Sequence, residues 1–162
     1  MSPFAPLPLP ALRRRLAAHR RRGERIVFTN GVFDLLHPGH VRYLRAARRL
    51  GEVLVVGVNG DRSARALGKG PGRPLNRARD RAEVLVALEM VDYVTIFTAD
   101  TPYATIKALR PDVLVKGGDW SVDGIVGAEL VLARGGAVRS LRFAKGYSTT
   151  RLVQRMPTAK GE

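Results

Sequence analysis

Two of the chain's three histidines, His37 and His40, stand three residues apart with Pro38 and Gly39 between them. Residues at that spacing share one face of a helix, and proline is favoured in a first helical turn. Glycine lets a ligand come close to the backbone. The pair therefore points at a group held over a helix N-terminus, where unpaired N–H groups and the helix dipole favour an anion. A second feature is Gly68-Lys69-Gly70-Pro71-Gly72-Arg73-Pro74, rich in glycine and proline and carrying two cations. By composition alone it is a mobile surface connection.

These residues need a scaffold, and the chain alternates two kinds of segment. Runs 26–29, 53–58, 93–97, 113–116 and 138–143 read as strands, and 11–22, 39–50, 78–90, 102–109, 125–133 and 149–156 as helices. The strands are apolar on both faces, as in a parallel sheet between helix layers. The expected fold is α/β: a doubly wound, mostly parallel five-stranded sheet, Rossmann-like. Such sheets bind ligands beyond the carboxyl ends of their strands, where the histidine string falls. No Gly-x-Gly-x-x-Gly follows the first strand, which argues against a nicotinamide or flavin enzyme. No Gly-x-x-x-x-Gly-Lys-Ser/Thr occurs, which excludes a P-loop.

At 162 residues the chain fits one domain, expected over 11–157 with a basic helix at its start. Residues 1–10, with four prolines, and 158–162 read as flexible tails. No apolar run approaches the roughly 20 residues of a membrane helix. The absence of cysteine excludes disulfides, cysteine-ligated zinc and thiol catalysis, and suits a cytoplasmic protein. A formal charge of +14 points to an anionic partner. Arg13, Arg14, Arg15, Arg20, Arg21, Arg22 and Arg25 crowd the first segment, which reads as a surface helix rather than a transit peptide. Arg42, Arg45 and Arg49 read as a solvated helix face.

The string Thr29-Asn30-Gly31-Val32-Phe33-Asp34-Leu35-Leu36-His37-Pro38-Gly39-His40 resembles the His-x-Gly-His signature of the nucleotidyltransferases that include cytidylyltransferases and small-molecule adenylyltransferases. The resemblance continues through Val58-Asn59-Gly60-Asp61, Arg73-Pro74-Leu75-Asn76 ahead of Arg81, and Leu88-Glu89-Met90-Val91-Asp92. Asp100-Thr101-Pro102, Leu114 to Trp120, and Gly146 to Arg151 complete it, so that it spans roughly residues 25–156. Within that group the chain looks most like the heptose 1-phosphate adenylyltransferases, which make ADP-heptose either alone or fused to a kinase. Any heptose kinase is then expected on a separate chain. A glycerol-3-phosphate cytidylyltransferase shares most of the motifs but often has arginine where this chain has Glu89.

The resemblance implies ATP and a sugar phosphate as partners, with the sugar 1-phosphate attacking the α-phosphorus and expelling pyrophosphate. It makes His37, His40 and Lys69 catalytic, the histidines donating to phosphate oxygens and Lys69 closing over them. Asn30, Gly31, Phe33, Asp34, Gly39, Lys116, Gly117, Asp119, Tyr147, Ser148, Thr149 and Thr150 would bind the nucleotide. Asp61, Arg73 and Arg81 would bind the acceptor. Ser148, Thr149 and Thr150 equally suit a helix cap. Mg²⁺ would be held mainly by phosphate and water, with Asp34 as its one protein ligand or simply an orienter of the histidine string. Related enzymes are often dimers, and a homodimer is expected on that ground. The rivals are a cytidylyltransferase for glycerol 3-phosphate or another alcohol phosphate, and a basic nucleic-acid-binding module. The second lacks interleaved aromatics and a reader motif, so no specific nucleic acid and no membrane is expected as partner.

Overall fold

The computed structural model describes residues 5–68, 70–142 and 146–156. Side chains along its strands alternate between two apolar cores. In β1 (Ile26–Gly31), Ile26 and Phe28 enter one core and Val27 the other. In β2 (Val53–Asn59), Val53 and Val55 oppose Leu54, Val56 and Val58; in β4 (Val113–Gly117), Leu114 opposes Val113 and Val115. With β3 (Tyr93–Phe97) and β5 (Ala137–Leu141) they form one sheet of order β3-β2-β1-β4-β5. Every pairing is parallel, so the sheet is wholly rather than mostly parallel.

Parallel neighbours require crossovers, and these cover both faces with helices. On one side α2 (Pro38–Arg48) and α4 (Ala78–Val86) supply Tyr43, Leu44, Ala47, Ala82 and Leu85. On the other, α1 (Leu9–Arg21), α5 (Tyr103–Leu109) and α6 (Ala128–Leu132) supply Leu12, Leu16, Ile106, Leu109, Ala128 and Val131. Leu12 and Leu16 are fully buried, each stabilising by about 1.5–3 kcal/mol relative to an exposed leucine. Two short helices, α3 (Asp61–Ala66) and α7 (Thr149–Arg155), complete the described chain.

Several boundaries differ from expectation. Helix α1 starts at Leu9, with Pro10 in its first turn, and Leu7 N donates to Val94 O at 2.8 Å. The proline-rich segment is thus packed from Leu7 onward, because a first turn tolerates proline and Leu7 and Leu9 lie on the core. Helix α3 was not expected; six residues are too few to show a period. Gly127, at φ 82°, separates α6 from a 3₁₀ turn over Val122–Gly124, so the helix expected over 125–133 is shorter. Residues 1–4, 157–162 and Phe143 lie outside the described residues.

Some of the basic charge holds the fold. Arg20 Nη2 donates to Leu109 O and, at 3.0 Å, to Arg110 O, closing the C-terminus of α5. The third histidine, His19, bonds Tyr93 Oη at 2.8 Å and pairs with Glu24. Hydrogen bonds from Arg22 and His19 hold the Glu24 carboxyl down at about 2. Among the described residues no helix is long and apolar enough to cross a membrane.

Candidate active site

Strands β1 and β4 are neighbours, yet the chain leaves them in opposite directions, toward β2 and toward β5. Loops diverging at such a point leave a crevice. Here it is a cleft of about 760 Å³. Of the residues expected to act, Asn30, Gly31, Phe33, Asp34, His37, His40, Arg73, Lys116, Gly117, Tyr147, Ser148, Thr149 and Thr150 line it. Lys69 lies outside the described residues.

His37 is the residue ahead of α2, with extended backbone (φ −145°, ψ 168°), and Pro38 opens the helix. That geometry brings the His37 ring back against His40 on the first turn. The two rings stack with centroids 3.9 Å apart and planes 26° apart. His37 O accepts from His40 N at 2.9 Å and Val41 N at 3.3 Å, which fixes their backbones. His37 Nδ1 is buried and has no hydrogen-bond partner among the described residues. A buried polar atom left unpaired costs about 1–3 kcal/mol and calls for an explanation such as a ligand. Burial pushes the His37 pKa below the ordinary histidine value, against a smaller opposing pull from its own backbone. Burial thus favours the neutral form of the ring.

Gly39 does not line the cleft but makes this arrangement feasible. A Cβ there would stand 2.9 Å from the His37 ring and 3.1 Å from Tyr147 Cβ. Phe33 adopts φ 50° and sets its ring 5.4 Å from that of His40. Left-handed backbone at a bulky residue costs roughly 1–2 kcal/mol and tends to cluster at functional sites.

Asp34 is engaged by the protein itself, which favours the orienting role over the metal-ligand one. Its side chain is 1% exposed, and its carboxylate accepts from Arg73 Nε at 2.6 Å, Leu75 N at 2.9 Å and Asn76 N at 2.9 Å. Asn76 Nδ2 also donates to its carbonyl at 2.8 Å. Burial pushes the Asp34 pKa up, but the Asn76 and Leu75 N–H groups and Arg73 outweigh it and hold the carboxyl below its ordinary value. Asp34 is the anchor of the loop after Arg73.

Arg81 and Asp61 likewise do not reach the cleft. The Arg81 side chain is 0% exposed and donates to Asn76 O (2.9 Å), Val32 O (2.5 Å), Asn59 O (2.8 Å) and Asp61 Oδ1 (2.9 Å). Asp61 Oδ1 also accepts from Ala78 N at 2.8 Å. Both tie the ends of β1 and β2 to α4, Arg81 fully buried and Asp61 with 36% of its side chain exposed, and neither lines the cleft. Arg73 lines the cleft while paired to Asp34. Asp119 points outward, with an 82% exposed side chain paired to Arg142 at 3.1 Å. Ser148 caps α7, accepting from Arg151 N at 3.1 Å, as its alternative reading allowed.

Sequence reasoning missed the apolar wall. Leu67, Pro102, Trp120, Ile125 and Val126 line the cleft, and Trp120 is 52% exposed. Trp120 is the only tryptophan in the chain and follows Gly117-Gly118-Asp119, a signal that could have singled it out. Its Nε1 donates to Gly117 O at 3.1 Å, setting the indole at the mouth. Arg42 was also missed: its guanidinium lies 5.3 Å from the Tyr147 ring centre, so it is not merely solvated surface.

Residues 28–155 match the cytidylyltransferase-like family. The chain is 51% identical to the bifunctional protein HldE of Citrifermentans bemidjiense over 148 residues, 91% of this chain and 30% of that protein. It is 56% identical to HldE of Alcanivorax borkumensis over 137 residues, 85% of this chain and 29% of that one. The chain thus spans about 30% of the length of these relatives. The crystal structure of the lipopolysaccharide core biosynthesis protein from Thermoplasma volcanium GSS1 superposes with TM-score 0.62 at 32% identity, covering 78% of this chain and 100% of that one.

Proposed function

The chain belongs to the cytidylyltransferase-like family of nucleotidyltransferases, and on that premise we propose that it transfers the adenylyl group of ATP to a sugar 1-phosphate. The acceptor that fits the motifs best is D-glycero-β-D-manno-heptose 1-phosphate, and the products are ADP-heptose and pyrophosphate. The observation that carries this reading is the stacked His37–His40 pair at the start of α2, lining the cleft between β1 and β4.

A phosphate monoester has a second pKa of about 6 and is mostly dianionic at neutral pH. Its oxygen attacks the α-phosphorus of ATP, the α–β bridging P–O bond breaks, and pyrophosphate carries the electron pair away. No strong base is needed, so the protein positions the reactants and neutralises charge. His37 and His40 donate to α- and β-phosphate oxygens, with hydrogen bonds that strengthen as charge builds. Lys69 closes over the phosphates from its glycine-rich loop, and Lys116, Thr149 and Thr150 hold the phosphate tail. The wall of Trp120, Ile125 and Val126 receives the base.

The family works with a divalent cation on the nucleotide, which we take to be Mg²⁺. Among the described residues no group of three or more histidine, aspartate or glutamate side chains is placed to hold an ion, and the Asp34 carboxylate already accepts from three donors. We therefore assign the cation to phosphate and water ligands. A cytoplasmic location, suited by the cysteine-free sequence, and a homodimer belong to the same proposal.

The test is pyrophosphate release from a panel of nucleoside triphosphates against heptose 1-phosphate and glycerol 3-phosphate. A pocket built for adenine leaves polar groups unpaired with cytosine, so ATP should exceed CTP by at least ~10²-fold in kcat/KM with heptose 1-phosphate. Faster turnover of CTP with glycerol 3-phosphate would overturn the heptose assignment.

A further inference from the structure

Helix α7 has no fully buried side chain among the described residues, and contacts with α2 and the loop before it lie at its start. Tyr147, immediately before the capping Ser148, makes most of them. Its ring lies 6.1 Å from that of His37 with the planes 20° apart. Its Cβ comes close to α2, 3.1 Å from where a Cβ at position 39 would stand. Arg42, on the same helix as His40, covers the Tyr147 ring at 5.3 Å. One further tether joins the same two regions: Thr149 Oγ1 donates to Leu35 O at 3.2 Å.

We infer that Arg42 and Tyr147 form a clasp that sets the Ser148–Thr150 turn in register with His37 and His40, which makes Arg42 a positioning residue for the transfer. The inference rests on the nucleotidyl-transfer reading for its functional consequence. The reasoning is mechanical. The histidines on α2 and the hydroxyls at the start of α7 must address one triphosphate, yet they lie more than a hundred residues apart in sequence. Arg42 lies 5.3 Å from the Tyr147 ring centre, while His37 and Gly39 approach the same residue. The ring thus has a cation and an imidazole as neighbours, and both constrain the turn that follows it.

The experiment has two arms. In the first, amide hydrogen exchange is followed across residues 150–155 of the protein without nucleotide. An exposed cation–π contact is worth a factor of about two to five, so Arg42→Ala and Tyr147→Ala should each speed exchange there by that factor. Tyr147→Phe, which keeps the ring, should exchange as the parent does, and Arg42→Lys should fall between. Melting should not move, because the Arg42 side chain is exposed and α7 buries nothing. In the second arm, kcat/KM for ATP should fall about two- to fivefold in Arg42→Ala. The Arg42→Ala/Tyr147→Ala double variant should fall no further than the worse single, as expected of two halves of one device. Parental exchange in Arg42→Ala, or losses that multiply in the double variant, would overturn the clasp. A parent that transfers no nucleotidyl group while exchange responds as described would overturn the functional reading and leave the clasp standing.

Discussion

Replacing Asp34 by asparagine separates two roles that a carboxylate beside a phosphate site can have. The side chain is 1% exposed and receives three donors, one of them the Arg73 guanidinium. An amide keeps one acceptor oxygen, which can serve Arg73 and Leu75. Its NH₂ group must then face the Asn76 N–H, donor against donor. Hydrogen bonds to charged groups contribute about 1.5–3 kcal/mol, and an arginine stripped of its buried partner costs about 3–5 kcal/mol. Arg73 keeps a neutral acceptor and is 9% exposed, so a loss of about 3 kcal/mol is the reasonable middle. For a chain of this length that is roughly 6–12 °C in Tm. Urea unfolding should show a lower midpoint at constant slope. The pH dependence adds a second signature. The Asp34 carboxyl sits below its ordinary value of 3.8 in the folded protein. Its contribution is therefore complete above the ordinary value and is lost as pH falls through the lowered native one. Asp34→Asn should flatten that acid limb. A metal ligand would behave otherwise, leaving metal-free stability unchanged and raising only the cation concentration needed for turnover. An unchanged urea midpoint together with an unchanged acid limb would refute the anchoring argument.

Three further outcomes are expected. His40→Ala should lower kcat by ~10²–10³, as loss of an oxyanion donor does, while circular dichroism stays parental; steady-state turnover decides it. Arg81→Met should cost roughly 3–5 kcal/mol in urea unfolding, because it strands Asp61 and the carbonyls of Val32, Asn59 and Asn76. A raised acceptor KM with stability intact would instead return Arg81 to the acceptor site. Lys69→Ala should depress kcat/KM with no change in thermal unfolding, since a glycine-rich loop contributes little to stability.

How much of this was legible in the chain depends on the range of the interaction. Strands such as Val53–Asn59 announce themselves because burial on both faces demands an unbroken apolar run. The histidine string is legible because its parts are local: a proline for the first turn, a glycine for close approach, and two imidazoles on one helical face. Helix α3 and the early start of α1 were hidden, the first by its length and the second by prolines that a first turn accepts. The site residues divide in the same way. Asn30 and Gly31 end β1 and Phe33 follows closely, so they could only fall at its carboxyl end.

The charged residues could not be sorted from sequence. Arg73 and Arg81 are both arginines in the same motif region, yet one lines the cleft and the other is sealed beneath it. Asp34 finds Leu75 and Asn76 some forty positions away, and Arg81 finds Val32 at a similar separation. Residue types and helix-scale spacing determined the fold class and the placing of a histidine pair together at a helix start, since both follow from periodicity and backbone geometry over a few residues. Which charges face the ligand and which hold the frame was decided by the tertiary structure alone, because desolvation and partner distance are properties of the folded surroundings, and a guanidinium carries the same charge in either place.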